Sequence, residues 1–289
     1  MTRLNEASPI KRRRASKVEM EQRREALFQI VSAMQPMTVR QAFYQATVKG
    51  IIDKTEAGYG KVQRLLVDMR RAGQIPYDWI ADNTRWQRKP RTYADPSEAV
   101  RSIAQFYRKN LWADADEHVE VWLEKDALAG VVIEVTSDFD VPLMVSRGYA
   151  SLSFIHEAAD AINHLGRTSH IYHFGDYDPS GQDAADKIEQ DLRNFADRVD
   201  IHFHRVAVRP EQIKKWFLPS RPTKKTDTRA KGFGDISVEL DAIEPDRLRE
   251  LVRTSIERHL PQDQFQILKV AEASERELLR AWAGDWGAA

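Results

Sequence analysis

The sequence predicts an α/β protein: a basic helical unit, then a mainly parallel sheet with helices between its strands. Three observations predict it. From His118 onward, apolar β-prone runs alternate with helically patterned segments, the βαβ signature of a parallel sheet. Two of those runs stop abruptly in carboxylates, at Leu123-Glu124-Lys125-Asp126 and at Phe174-Gly175-Asp176-Tyr177-Asp178. Charge is also divided along the chain: residues 38–91 hold eleven basic against five acidic side chains, and residues 113–200 hold six against nineteen. A basic module joined to an acidic one fits a phosphate-binding surface beside a metal-binding one, or two ordinary solvated surfaces.

At 289 residues the chain is long enough for two domains, and its 44 basic and 44 acidic side chains cancel. It has no cysteine, which excludes disulfides, zinc–thiolate sites and thiol catalysis. No apolar run is long enough to span a bilayer, so a cytoplasmic protein with no membrane partner is expected. Nothing matches the Walker A pattern, so ATPase activity is not expected of this chain.

Residues 1–18 read as a disordered basic arm around Lys11-Arg12-Arg13-Arg14, either touching an acidic partner such as DNA or simply solvated. Residues 19–34 form a helix with Leu27, Ile30, Val31 and Met34 on one face, ended by Pro36. Thr38 and Gln41 make a capping box for the next helix, 39–49, which stops at Gly50. After a loop over 51–58, a basic amphipathic helix runs over 59–72. Its apolar side is Val62, Leu65, Leu66 and Met69; Lys61, Arg64, Arg70 and Arg71 are charged. Residues 74–85 carry the punctuation of a β-wing. Helix, turn, basic helix and wing predict a winged-helix (CAP-like) domain over 19–95 that binds double-stranded DNA through those four cations. Arg88, in the basic run 85–91, is either a further backbone contact or part of a solvated connection.

A helix over 96–112 lies within a linker, 96–117. The sheet unit spans 118–218, with strands at 118–123, 141–146, 169–175 and 200–208 and helices at 125–136, 151–164 and 180–195. The Lys-, Thr- and Gly-rich stretch 219–234 reads as a loop that opens a C-terminal helical extension, 219–289. In that extension one helix starts after Pro245. A tail helix follows, capped by Ser274 and Glu277, with Leu278, Leu279 and Trp282 as its docking face.

In an open parallel sheet, ligands bind at the carboxyl ends of the strands. If the two carboxylate-tipped strands are neighbours, Glu124, Asp176 and Asp178 converge. Three carboxylates raise one another's pKa unless a cation sits between them, and Mg²⁺ suits an all-oxygen site. Taken singly, strand-end carboxylates equally cap the following helix. His170-x-x-His173 and His202-x-His204 have metal-binding spacing, but no third ligand is evident in the sequence.

An ordered set of motifs carries a resemblance. Glu124-Lys125-Asp126-Ala127, Arg147-Gly148-Tyr149 and Asp176-Tyr177-Asp178-Pro179-Ser180-Gly181 resemble the Toprim domain of the topoisomerase VI A subunit and the meiotic double-strand-break proteins. Arg40-Gln41-Ala42-Phe43-Tyr44 is similar to that family's Arg-x-x-(Tyr/Phe)-Tyr motif, and Val238-Glu239-Leu240-Asp241-Ala242 to a later family segment. The chain's length makes it most similar to the short stand-alone Mini-A relatives. Gln41 departs from the family's Asp, and Ser146-Arg147-Gly148-Tyr149-Ala150 from its Gly-Lys-Gly-Tyr-Pro.

The resemblance implies a winged helix followed by a Toprim domain with a Rossmann-like sheet. It implies a type IIB topoisomerase-like transesterase in which Tyr44 attacks a DNA phosphodiester and becomes linked to the 5′ end. Arg40 would stabilise the phenolate or clamp the phosphate. Glu124, Asp176 and Asp178 would hold Mg²⁺, with Glu124 also a general acid or base, and Lys125 and Arg147 would face phosphate. A homodimer and a nucleoid location follow from the same likeness, and any ATP-driven strand passage would need a separate ATPase subunit, whose existence the sequence leaves open. A free phenol, with a pKa of about 10, is ionised about once in a thousand at pH 7, so its surroundings must activate it. The alternatives are a Toprim nuclease using water, with Phe43 and Tyr44 as core aromatics, or a non-catalytic DNA-binding protein of a mobile element.

Overall fold

Three short helices build the front of the molecule, and each begins at a residue whose side chain satisfies the free backbone N–H groups of the first turn. The structure is a computed structural model that describes residues 16–81, 91–223, 228–230, 232–260 and 262–286. The basic arm's Lys11–Arg14 run and Arg88 lie outside those residues. Ser16 and Glu19 form a capping box at α1 (Lys17–Met34), and Thr38 and Gln41 do so at α2 (Val39–Val48). Helix α3 (Glu56–Arg71) starts three residues earlier than the sequence suggests. Thr55 caps it by accepting from the Gly58 N–H, and Gly58 lies so close to Asp53 that a Cβ there would meet its carbonyl oxygen at 2.2 Å. The glycine is a close-packing device inside the helix rather than a loop residue. Leu27, Ile30, Val31, Phe43, Val62, Leu65, Leu66 and Met69 close a core of their own.

The expected β-wing does not form within residues 74–81. Pro76 leads instead into a single 3₁₀ turn, Tyr77–Trp79, and an isolated bridge joins Met37 to Ile80. Proline has no N–H for a strand ladder, which explains the substitution of a turn for a strand. Residues 82–85 of the expected wing are outside the described residues.

Helix α4 (Pro96–Phe106) is also shorter than expected. It ends where Glu272 captures the Lys109 N–H at 2.9 Å and the Arg108 guanidinium at 3.2 Å. The sheet follows: β1 (Glu117–Leu123), α5 (Ala129–Asp138), β2 (Leu143–Val145), α6 (Leu152–Leu165), β3 (Thr168–Phe174), α7 (Pro179–Phe195) and β4 (Ile201–Ala207). Its four strands are all parallel, in the order β2-β1-β3-β4. The chain then continues through α8 (Pro210–Lys215), the two-stranded β5 (Arg221–Pro222) and β6 (Ile236–Ser237), α9 (Pro245–Glu257) and α10 (Gln262–Trp286).

Three layers result. Val119, Val121, Leu123, Tyr172 and Phe174 pack against α5 and α9, while Trp122, Ile171 and Ile201 pack against α6 and α7. The core does not stop at residue 218, because Leu240, Leu248, Val252 and Ile256 lie in the same cluster as β1 and β3. The chain leaves β1 towards one edge and returns past it to β3, so strand order reverses between β1 and β3. That crevice is where open parallel sheets bind ligands.

The C-terminal helix corrects a further expectation. Ser274 is no cap, because it lies in the middle of α10, and Leu278 and Trp282 are 64% and 71% exposed. The inward face is Phe265, Leu268, Glu272, Arg276, Leu279 and Ala283, a helical spacing in which Leu279 alone was foreseen. No helix among the described residues is long and apolar enough to cross a membrane. Ser274→Ala should leave stability within about 0.5 kcal/mol, where loss of a true N-cap costs about 1. Glu272→Ala should cost about 1–2 kcal/mol, by leaving the Lys109 N–H without its acceptor and removing the ion pairs to Arg108 and Arg276. Urea denaturation of both variants checks the pair.

Candidate functional site

Neighbouring parallel strands bring their carboxyl ends together, and here β1 delivers Glu124 and β3 delivers Asp176 to one point. The Asp176 N–H donates to Glu124 Oε2 at 2.8 Å, and the Glu124 N–H donates to the Phe174 carbonyl at 2.9 Å. Two glycines make room for the Glu124 carboxylate. A Cβ on Gly175 would stand 2.6 Å from Glu124 Oε2, and one on Gly181 would stand 3.2 Å from it.

A distant segment completes the wall. Tyr177 and Val238 exchange backbone hydrogen bonds of 2.8 and 2.9 Å, and the Leu240 N–H donates to Asp176 Oδ1 at 2.7 Å. Leu240 enters the core, while Glu239 and Asp241 on either side of it face Lys125. The Lys125 ammonium stands 3.0 Å from Asp176, 3.3 Å from Glu239 and 2.7 Å from Asp241. Helix α2 roofs the cluster. Its Arg40 pairs with Glu239 at 2.9 Å and its cap residue Thr38 reaches Asp241 at 3.4 Å. Between the helical unit and the sheet lies a cleft of about 710 Å³, lined by Arg40, Tyr59, Arg70, Arg147 and these carboxylates.

Glu124, Asp176, Asp178, Glu239 and Asp241 share the site with Lys125, Arg40 and Arg221, and Arg70 and Arg147 line the same cleft. Burial pushes Glu124 above the usual carboxylate range, and Asp178 and Asp241 push the same way. Burial also raises Asp176, to about 7, with Lys125 opposing and Glu124 reinforcing the rise. Burial acts against the Lys125 charge too, but Asp241, Asp176 and Glu239 outweigh it and hold the ammonium above the ordinary lysine range. Glu239 is drawn below its usual range because Lys125, Arg40 and Arg221 overcome its burial. Glu124 and Asp176 are therefore the pair whose charged forms burial disfavours. Mg²⁺ is commonly held by one or two carboxylates and retained waters, so this pair fits such an ion.

The other residues singled out from sequence fall in several places. Asp178 caps α7, accepting from the Gly181 N–H and the Ser180 hydroxyl at 2.8 Å each, and its second oxygen meets Arg221 at 3.2 Å. It caps the helix while lying close enough to Glu124 to raise that carboxylate. Lys125 pairs with three carboxylates, and Arg40 pairs with Glu239 through one nitrogen while its side chain, 43% exposed, lines the cleft. Arg147, at φ 54°, pairs with Asp126 at 2.9 Å on the cleft rim. Lys61, Arg64 and Arg71 are exposed along α3, and Arg70 lines the cleft.

Tyr44 is 4% exposed and packs in the sheet's core, whereas its neighbour Phe43 packs in the helical one. Lys54 lies 5.2 Å from the Tyr44 ring centre. Among the described residues the Tyr44 hydroxyl makes no hydrogen bond, and burial, with Glu239, raises its pKa to about 12. Tyr59 is the phenol that borders the cleft, with the Arg40 guanidinium 5.1 Å from its ring centre. Sequence reasoning missed Tyr59, Arg221, Glu239 and Asp241 as site residues; only the alternation of Glu239-Leu240-Asp241 hinted that two carboxylates share a face.

Fold and site together define a parallel α/β protein with an acidic centre at its topological switch point. The sequence matches no family model and no curated protein.

Asp176 gives the pH dependence its sign. Between about pH 4 and 7 the native state keeps a proton there that the unfolded chain releases, so without added metal stability falls as pH rises through that window. Asp176→Asn should flatten the fall, read as melting temperature from pH 5 to 8. Gly175→Ala should displace Glu124 and weaken the binding of divalent ions at least tenfold, read by calorimetric titration.

Proposed function

We propose that the protein is a Mg²⁺-dependent DNA-cleaving enzyme, a winged-helix unit joined to a Toprim-like sheet domain, acting on duplex DNA as a homodimer. The observation that carries this reading is the meeting of Glu124 and Asp176 at the switch point, both buried and both raised above the usual carboxylate range. Mg²⁺ between them would polarise the scissile phosphate and stabilise the leaving 3′ oxygen. Lys125, Glu239 and Asp241 hold Asp176 in place. Arg70 and Arg147 on the cleft rim, with Lys61, Arg64 and Arg71 on α3, supply the positive charge that draws in a polyanion. A separate ATPase subunit and a nucleoid location belong to the same reading.

In the first form of this proposal Tyr44 is the nucleophile. With a pKa near 12 and its ring in the sheet's core, the phenol must leave that socket to reach a phosphate, across the dimer boundary. The same burial favours a second form, in which water attacks and Tyr44 is a packing residue. Tyr59, already at the cleft, is the third group to test.

Supercoiled plasmid, Mg²⁺ and the full chain decide among these. Transesterification by Tyr44 leaves protein on 5′ ends after denaturation, and Tyr44→Phe abolishes the adduct while Tyr59→Phe keeps it. Cutting that survives Tyr44→Phe without an adduct establishes the water nuclease. Glu124→Gln should lower either form of cutting about a hundredfold or more. Salt-dependent duplex binding with no Mg²⁺-dependent breaks overturns the enzyme altogether.

A further inference from the structure

The amino-terminal edge of the sheet, opposite the cleft, carries a second cluster of ionisable groups. Glu117 opens β1, His170 is near the start of β3, and His202 and His204 are on β4. Strand alternation turns Glu117, His170, His202 and His204 to one face, together with Tyr172. His170 pairs in register with His202, and Tyr172 with His204. His259, two residues beyond α9, closes the group from the C-terminal segment. His173 leaves it. It faces the other side of the sheet against Phe203, and is 3% exposed.

The third ligand that the histidine spacing lacked is therefore supplied by the fold, from two other parts of the chain. Glu117 Oε1 stands 3.4 Å from His170 Nε2, and Glu117 Oε2 stands 2.5 Å from His259 Nδ1. One ligand atom from each of the three residues lies within 4.8 Å of the other two. Ligands bound tetrahedrally to zinc at 2.0–2.1 Å are about 3.3 Å apart. The Glu117–His170 separation already has that value. The shorter His259 contact, which holds a proton in place of an ion, needs to open by about 0.8 Å to reach it.

Two further observations point to a ligand rather than to a hydrogen-bonded network alone. His170 Nε2 is a buried nitrogen that makes no well-formed hydrogen bond among the described residues, its contact with Glu117 Oε1 being long at 3.4 Å, and such atoms are few in folded proteins. Both imidazoles are also gripped on the nitrogen facing away from Glu117. His170 Nδ1 meets His204 Nε2 at 3.2 Å, and His259 Nε2 meets the Tyr172 hydroxyl at 2.7 Å. Metal-binding histidines are oriented in this way, through the ring nitrogen that does not touch the ion.

We infer that Glu117, His170 and His259 form a binding site for a borderline divalent transition-metal ion, Zn²⁺ in the first instance, oriented by His204 and Tyr172. Two imidazoles and one carboxylate select such an ion over Mg²⁺ or Ca²⁺ and leave a fourth position for water. Glu117 is 43% exposed and gives the ion a way in, while the His170 and His259 side chains are 13% and 8% exposed. An ion there ties the end of α9 to β1 and β3, so it stabilises the C-terminal segment that also carries Glu239 and Asp241. The site shares no residue with the Glu124–Asp176 centre, and neither proposal depends on the other.

Untagged full-length protein, freed of metal with a chelator, is titrated with ZnCl₂ by calorimetry, with MgCl₂ as the comparison and Co²⁺ as an optical probe. The expected result is one Zn²⁺ per chain with a dissociation constant of about 1 μM or below, a rise in melting temperature complete at one equivalent, and the intense visible bands of tetrahedral Co²⁺. Glu117→Gln, a substitution at a half-exposed side chain that keeps its shape, and His170→Gln should each weaken Zn²⁺ at least a hundredfold. Tyr172→Phe should weaken it tenfold to a hundredfold, and Glu124→Gln should leave it unchanged. Binding no tighter than millimolar, or a Zn²⁺ affinity unaltered in a folded Glu117→Gln variant, overturns the site.

Discussion

The ammonium of Lys125 lies among Asp176, Glu239 and Asp241, and the helical unit, the sheet and the C-terminal segment all meet around it. Burying carboxylates costs several kcal/mol each unless their charge is compensated. Lys125 makes it tolerable to hold three of them in a wall that also accepts a backbone N–H from Leu240 and a contact from the first turn of α2. The positive end of the α2 dipole adds to the compensation. Burial nonetheless raises both Glu124 and Asp176, the latter in spite of its contact with Lys125, so the site's electrostatics converge on that pair.

The sheet was legible because its strands are short runs separated by capped helices, and because β1 and β3 each stop at a carboxylate. Glu124 and Asp176 could be placed at one edge for the same reason. The local signals failed where two structures share one signal. An aspartate before a proline at the end of a strand can bind a metal or cap a helix, and Asp178 caps α7 with one oxygen while its second meets Arg221. A Ser-x-x-Glu pattern looks the same at a helix start and in a helix middle, and Ser274 is in the middle of α10. A glycine before a helical run reads as a loop, yet Gly58 belongs to α3, where its bare backbone lets Asp53 approach.

Long-range partners were illegible for a different reason. Glu239 and Asp241 reach Lys125 only because the chain returns after residue 236 to pair with Tyr177, and no periodicity records a return of that length. Glu117 and His259 are brought together in the same way at the opposite edge. The helix order placed Arg40 one turn ahead of Tyr44, but the two side chains diverge, Arg40 to the cleft and Tyr44 to the sheet. Both clusters thus depend on the segment after β6, which the sequence alone presents as a trailing extension.

Phe43 and Tyr44 are adjacent in the chain, yet their rings enter two separate hydrophobic cores. One turn of one helix is therefore a rivet through both units. Melting either core withdraws a large aromatic side chain from the other, so the two units are coupled into one cooperative transition rather than two independent ones. Any motion that frees the Tyr44 phenol draws on the same coupling, which makes access to that group a matter of global rather than local stability.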